Sequence, residues 1–216
     1  MKGFKDIDDQ TNGLLVKGEV LPLMEAFYTI QGEGFHSGLP SYFVRIGGCD
    51  VGCHWCDVKE SWNAKLHPPV PTDEIIENVL SCKAKVVVVT GGEPMNYNMS
   101  YFTKIIKEKG FQTHLETSGS SLMTGDWDWV CLSPKRNKIP LQSSLDLADE
   151  LKVIIENEND FEWAEKNAAL VGENCKLFLQ PEWSKSKQIM HTIVDYALEN
   201  PKWKVSIQSH KYMRIP

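Results

Sequence analysis

Residues 48–59 read GCDVGCHWCDVK and gather three of the chain's six cysteines, Cys49, Cys53 and Cys56, within eight positions. Thiols spaced C-x3-C-x2-C on one loop can all reach a single inorganic centre. A [4Fe–4S] cluster held by only three thiolates keeps one iron open to a small chelating molecule. A structural zinc site is normally closed by four protein ligands, and His54 has little backbone slack to act as one between two ligating neighbours. A disulfide would strand the third thiol, and clustered cysteines in a reducing compartment are more often ligands or redox groups than bridges. A non-enzymatic zinc module closed by one histidine stays as the competing reading.

Outward from that loop, the 216-residue chain has no Ser/Gly/Pro-rich linker, so residues 1–216 read as a single domain. Its formal net charge of −6 argues against a broad basic surface and thus against direct nucleic-acid binding. Apolar runs such as Val86–Val89 are far too short to cross a bilayer, so no membrane partner is expected. The N-terminal MKGFKDIDDQTNG lacks the apolar stretch and cleavage site of a secretory signal, which implies a cytoplasmic protein.

From residue 72 onward, β-branched apolar runs alternate with helical patterns, the signature of an α/β protein with a parallel sheet. Strands are expected at Tyr42–Ile46, Lys85–Thr90, Gln112–Glu116, Trp129–Leu132, Leu151–Ile155, Lys176–Gln180 and Lys204–Gln208. Helices are expected at Asp73–Ser81 behind an N-cap Thr72, at Ser100–Lys109 closed by Gly110, at Asp160–Leu170, and at Lys187–Glu199 ended by Pro201. TGGEP, ETSG, SPK, QP and QSH all fall at C-terminal strand ends, the rim where β/α barrels build their sites. Seven strands fit a partial, incomplete TIM-like barrel, and an open sheet reads much the same.

C-x3-C-x-φ-C with Trp55 as the aromatic φ, followed by TGGEP at Thr90–Pro94, resembles the radical S-adenosylmethionine (SAM) superfamily. The resemblance implies a partial barrel in which the open iron chelates SAM and one electron cleaves it to methionine and a 5′-deoxyadenosyl radical. It also implies a SAM site made of Trp55, Asp57, Gly91, Gly92, Glu93, Glu116, Ser133, Pro134, Lys135 and Gln180. The chemistry agrees, because a zwitterionic ligand needs acceptors such as Glu93 and Glu116 and donors such as Ser133 and Lys135.

Residues 27–57, with LETSGS, LSPK, ELKVII, FLQP and the terminal IQSHKYMRIP, are similar to the 7-carboxy-7-deazaguanine synthase family of the queuosine and deazapurine pathway. That resemblance implies a lyase acting on the small-molecule pterin 6-carboxy-5,6,7,8-tetrahydropterin, with loss of ammonia and ring contraction. By the same resemblance, Ile30, Gln31, Gly32, Glu33, Arg45, Thr90, His210 and the terminal carboxylate of Pro216 contact that pterin. Arg45 suits its part, since a guanidinium forks onto a carboxylate in two parallel bonds. An electron donor such as flavodoxin or ferredoxin and a homodimer are further implications.

The family's magnesium is in question. Its usual Thr or Ser ligand, two residues after the last cluster cysteine, is Val58 here, which has no oxygen to offer. Asp57 and Ser61 are the nearby side-chain oxygen donors; water, or a weakened metal requirement, are the other ways out. Residues 60–74, ESWNAKLHPPVPTDE, read as too irregular for a helix or strand, and the Pro-rich loop at 62–71 is a candidate lid. A C-terminal tail at 209–216 is expected to close the pocket. Cys82, Cys131 and Cys175 read as small buried residues. An activase acting on a partner protein is the alternative within enzymes.

Overall fold

Along the computed structural model, which describes residues 8–216, α1 (Asp9–Lys17) leads into β1 (Val20–Ile30), β2 (Pro40–Ile46), β3 (Pro69–Pro71) and α2 (Thr72–Leu80). Strands and helices then largely alternate: β4 (Val86–Gly91), α3 (Ser100–Glu108), β5 (Gln112–Thr117), β6 (Trp129–Leu132), α4 (Gln142–Leu145), β7 (Glu150–Ile155) and α5 (Asn159–Ala168). β8 (Lys176–Pro181), α6 (Ser186–Glu199), β9 (Trp203–Val205) and α7 (Ser209–Met213) complete the chain. One sheet holds all nine strands in the order β3-β1-β2-β4-β5-β6-β7-β8-β9. β2 and β4 to β9 run parallel, while β1 and β3 are antiparallel additions at one edge. The sheet does not close on itself, which makes the expected α/β partial barrel.

Residue alternation explains the layering. In β4, Val87 and Val89 join Ile75, Val79, Phe102 and Ile106 beneath the helices, whereas Val86 and Val88 pack with Phe43 on the other face. β7 alternates in the same way: Leu151, Val153 and Ile155 enter a core with Phe161, Leu179 and Ile193, and the intervening Glu150 and Lys152 face inward. Successive strand side chains point to opposite faces, so an apolar outer face secures the helices and leaves the inner face free for polar groups. Phe27 of β1 and Gln180 of β8 line one cavity although five strands lie between their own in the sheet order, so the sheet is strongly curled.

The parallel strands begin and end near their expected limits; the largest difference is β9, which stops at Val205 rather than Gln208. Gly110 adopts φ +81° just past α3, and α6 ends at Glu199 before Pro201, as expected. Four features depart from expectation. Thr72 is the first residue of α2 rather than its cap, and its Oγ1 donates to the Gly18 carbonyl at 2.7 Å. Residues 60–74 are not wholly irregular: they contain 3-10 turns at Lys59–Trp62 and Ala64–Leu66, the strand β3 and the start of α2. Prolines at both ends of β3 are tolerated because an edge strand pairs on one side only. β1 and α1 were not anticipated, since β1 carries Pro22 and Glu25 and shows no clean two-residue alternation. The stretch taken as a C-terminal tail contains the short helix α7. The reading of the N-terminus falls largely on residues 1–7, which lie outside the described residues.

β1 is part of the core and not an ornament on its edge. Leu21 is fully buried against the outer-face cluster, whereas Tyr28 on the same strand is 47 % exposed. Leu21→Ala is expected to cost about 2–5 kcal/mol in chemical denaturation, and Tyr28→Ala no more than about 0.5 kcal/mol.

Candidate active site

At the C-terminal ends of the parallel strands, a cavity of about 600 Å³ opens on the inner face of the sheet. Such a rim is where loops of differing chemistry converge in α/β folds. Cys49, Cys53 and Cys56 all line it from the loop after β2. Burial pushes the Cys49 and Cys53 thiols up, so binding a metal centre there must release protons. His54 points elsewhere, pairing with Glu156 at 3.1 Å. Among the described residues, no three His, Cys, Asp or Glu side chains converge on one ion position. Three thiols facing one cavity, with His54 turned away, fit a cluster with an open iron.

The Gly91–Glu93 turn packs directly against that loop. Gly91 adopts φ +144°, and a Cβ there would overlap the Ile46 carbonyl oxygen; one on Gly92 would overlap the carbonyl oxygen of Gly48 and crowd Cys49. Gly92 and Glu93 donate their amides to Ile46 and Gly48 at 2.8 and 2.9 Å. Glu93 is buried and accepts from the Met95 amide, Thr117 Oγ1, the Ser118 amide and Ser118 Oγ, at 3.1, 2.6, 2.9 and 2.5 Å. Its carboxylate therefore ties β4 to the end of β5.

Other strand ends complete the wall. Glu116 accepts from Gln31 Nε2 at 3.0 Å and Thr90 Oγ1 at 3.1 Å. Lys135 donates to both oxygens of Ser133, at 2.5 and 2.7 Å, and its ammonium lies 5.4 Å from the Trp55 ring centroid. Burial pushes the Lys135 ammonium down. Gln180 is buried and accepts from Ser206 Oγ at 2.7 Å. Arg45 Nε pairs with Glu25 at 2.6 Å, leaving its two terminal nitrogens. Pro134 and Ile30 do not reach the cavity wall; all the other expected site residues do.

The floor holds a residue to which the sequence reading gave no role. Lys152, buried on the inner face of β7, pairs with Glu33 Oε2 at 2.5 Å. Gln208 Nε2 donates to Glu33 Oε1 at 2.8 Å. Burial raises the Glu33 carboxyl, but the Lys152 charge and hydrogen bonds outweigh it and hold it at about 2. Burial likewise pulls the Lys152 ammonium down, and Cys131, Glu33, Glu116 and Glu150 more than reverse this. The available signal was period two: Glu150 and Lys152 are charges within an otherwise apolar strand. Cys131 is buried as expected, but on the cavity wall; Cys82 and Cys175 are only partly buried.

The last residues line the same cavity through Gln208, His210, Lys211 and Pro216. The Ser209 amide donates to the Gly32 carbonyl at 2.9 Å, and His210 packs so closely that a Cβ on Gly32 would collide with its ring. Lys211 Nζ reaches Asp57 at 2.8 Å, joining α7 to the residue after Cys56. Arg214 turns left-handed at φ +56°, and Pro216 returns to the wall, its carbonyl accepting from Thr29 Oγ1 at 3.4 Å.

Residues 43–177 match the radical SAM superfamily. The 7-carboxy-7-deazaguanine synthase of Flavobacterium psychrophilum is 60 % identical, covering 93 % of this chain and 95 % of the relative. That of Synechocystis is 41 % identical over 90 % of this chain and 93 % of its own. A crystal structure of QueE from Escherichia coli aligns with a TM-score of 0.80 and 26 % identity, covering 94 % of this chain and all of that one. Motif, relatives and fold agree: the chain belongs to the 7-carboxy-7-deazaguanine synthase family of radical SAM enzymes.

Proposed function

We propose that this chain converts 6-carboxy-5,6,7,8-tetrahydropterin to 7-carboxy-7-deazaguanine with loss of ammonia. The observation that carries this reading is one cavity whose wall joins Cys49, Cys53 and Cys56, the Gly91–Glu93 turn, and Gln31–Glu33 with Arg45. As a radical SAM enzyme it carries a [4Fe–4S] cluster and uses SAM. Reductive SAM cleavage at that cluster supplies the 5′-deoxyadenosyl radical that opens the ring contraction.

The protein's own work is positioning and exclusion of water. Gly91 and Gly92 let the turn pack onto the Ile46 and Gly48 carbonyls beside Cys49, which sets the turn where the methionyl part of SAM is held, while Ser133 and Lys135 face its carboxylate. Trp55, Asp57, Glu93, Glu116 and Gln180 surround the remainder, and Pro134 fixes the backbone between Ser133 and Lys135. On the substrate side, Arg45 receives the pterin carboxylate, and Gln31, Gly32, Glu33 and Thr90 meet the ring. Ile30 holds the start of that loop, and His210 and Pro216 close the far side with the tail at 209–216; the loop at 62–71 contributes Trp62 as part of a lid. A flavodoxin- or ferredoxin-type donor, a homodimer and a cytoplasmic location complete the proposal, and six free cysteines suit a reducing compartment.

Magnesium does not fit the donors present. Val58 has no side-chain oxygen, and its carbonyl accepts from Ser61 N at 3.1 Å and Ser61 Oγ at 2.6 Å. Asp57 is already paired with Lys211.

Anaerobic reconstitution followed by assay with the carboxypterin, SAM and dithionite tests the reading by mass spectrometry. Carboxydeazaguanine is expected from the wild type and neither it nor 5′-deoxyadenosine from Cys53→Ala; retained SAM cleavage in that variant would overturn the cluster assignment. A second expectation concerns the floor. Lys152→Met leaves Glu33 a buried, unpaired charge and is expected to cost about 3–5 kcal/mol, with Glu33→Gln in the same chain recovering part of it. Because Glu33 is depressed to about 2 from an ordinary 4.5, the pair stabilises the fold above pH 4.5 and is lost as pH falls toward 2. Denaturation midpoints across that window should show the decline in the wild type and not in the double variant.

A further inference from the structure

We propose that the Lys211 ammonium, rather than a divalent cation, supplies the second positive charge at the anionic substrate, so that this chain binds and turns over its pterin without Mg²⁺. The inference rests on the pterin reading above. Its starting point is the mismatch at Asp57–Val58, where a metal would need oxygen donors in near-octahedral array. Val58 offers none from its side chain, and the nearest hydroxyl, on Ser61, is 1 % exposed and directed at the Val58 carbonyl.

A cation already stands there. Lys211 Nζ lies 2.8 Å from Asp57 Oδ2 and 4.8 Å from the Trp183 ring centroid, and all three residues line the cavity. A carboxylate on one side and an aromatic face on another fix the ammonium in place. An ammonium has three donors, and one bond to Asp57 leaves two for a ligand. Gln208 Nε2 also approaches Asp57 Oδ2 at 3.4 Å, so the carboxylate that would receive a metal is held from two residues of the C-terminal segment. A divalent ion at Oδ2 would have to displace the ammonium, and one at Oδ1 would sit beside it against like-charge repulsion.

The position of Lys211 is tied to the substrate side of the cavity. α7 is fastened to Gly32 by the Ser209 amide and by Ser209 Oγ, at 2.9 and 3.0 Å, and Gln208 reaches Glu33. Arg45 keeps two nitrogens for the substrate carboxylate, and Lys211 adds a charge from the chain itself where a metal would otherwise bring one.

The test compares reconstituted wild type, Lys211→Met, Lys211→Arg and Val58→Thr/Lys211→Met. Carboxypterin binding is measured by equilibrium dialysis with SAM but no reductant, and turnover with reductant, each with EDTA or millimolar Mg²⁺. Wild-type affinity and turnover should be the same in both conditions, a result that does not depend on any variant folding. Lys211→Met should raise the pterin Kd about tenfold or more, Lys211→Arg should keep most of the affinity, and the double variant should recover it only with Mg²⁺. Wild-type binding or turnover that falls in EDTA and returns with Mg²⁺ would overturn the proposal, as would an unchanged Kd in Lys211→Met. If the wild type cleaves SAM yet neither binds nor converts the pterin, the substrate reading itself has failed.

Discussion

The site depends on a backbone contact with no room for a side chain. Where β4 ends, Gly91 and Gly92 press against the carbonyls of Ile46 and Gly48, and two amide bonds pin the turn to the start of the cysteine loop. A β-carbon at either position would force the strands apart or lift the loop that carries Cys49. The contact is made between β2 and β4, which are adjacent and parallel, so both loops leave the same edge of the sheet. From it follow the closeness of thiols and turn, and the way Glu93 carries the geometry on to β5 through Thr117 and Ser118.

Beyond that contact, the inner face of the sheet is a charged, largely buried surface. Glu33, Glu116, Glu150 and Lys152 are clustered beneath the cavity, with Lys152 the buried cation among three carboxylates. Buried charges are costly unless paired or hydrogen-bonded: Glu33 and Lys152 pair directly, Glu116 accepts from Gln31 and Thr90, and Glu150 accepts from the Phe35 amide and Trp129 Nε1 through Oε2, while its buried Oε1 has no hydrogen-bond partner. The same pairing fastens the C-terminal segment, because Gln208 and Lys211 reach the carboxylates of Glu33 and Asp57. The last helix and the residue before it are thus attached by polar contacts to the two loops that carry Glu33 and Asp57.

Much of this was legible along the chain. C-x3-C-x2-C and GGEP are local patterns whose spacing reflects ligand geometry and close backbone approach, so Cys49, Cys53, Cys56, Gly91 and Gly92 could be read directly. The parallel strands were readable because each is a short apolar run followed by polar residues at its C-terminal end. β1 and β3 were not, because β1 carries Pro22 and Glu25 without a clean two-residue alternation and β3 is a three-residue edge strand with proline at both ends. Thr72 was misread as a cap because its hydroxyl answers to Gly18, which is far away in sequence.

By itself the sequence determined the fold class and the family and singled out the three clustered thiols, since these rest on residue types and spacings that local chemistry dictates. Only the tertiary structure decided that Lys152 meets Glu33, that Glu93 is saturated by four donors, and that Lys211 stands at Asp57. Those pairings join residues up to 154 positions apart. They exist only because the curled sheet brings distant strand ends to one rim, where burial strengthens every charge–charge contact.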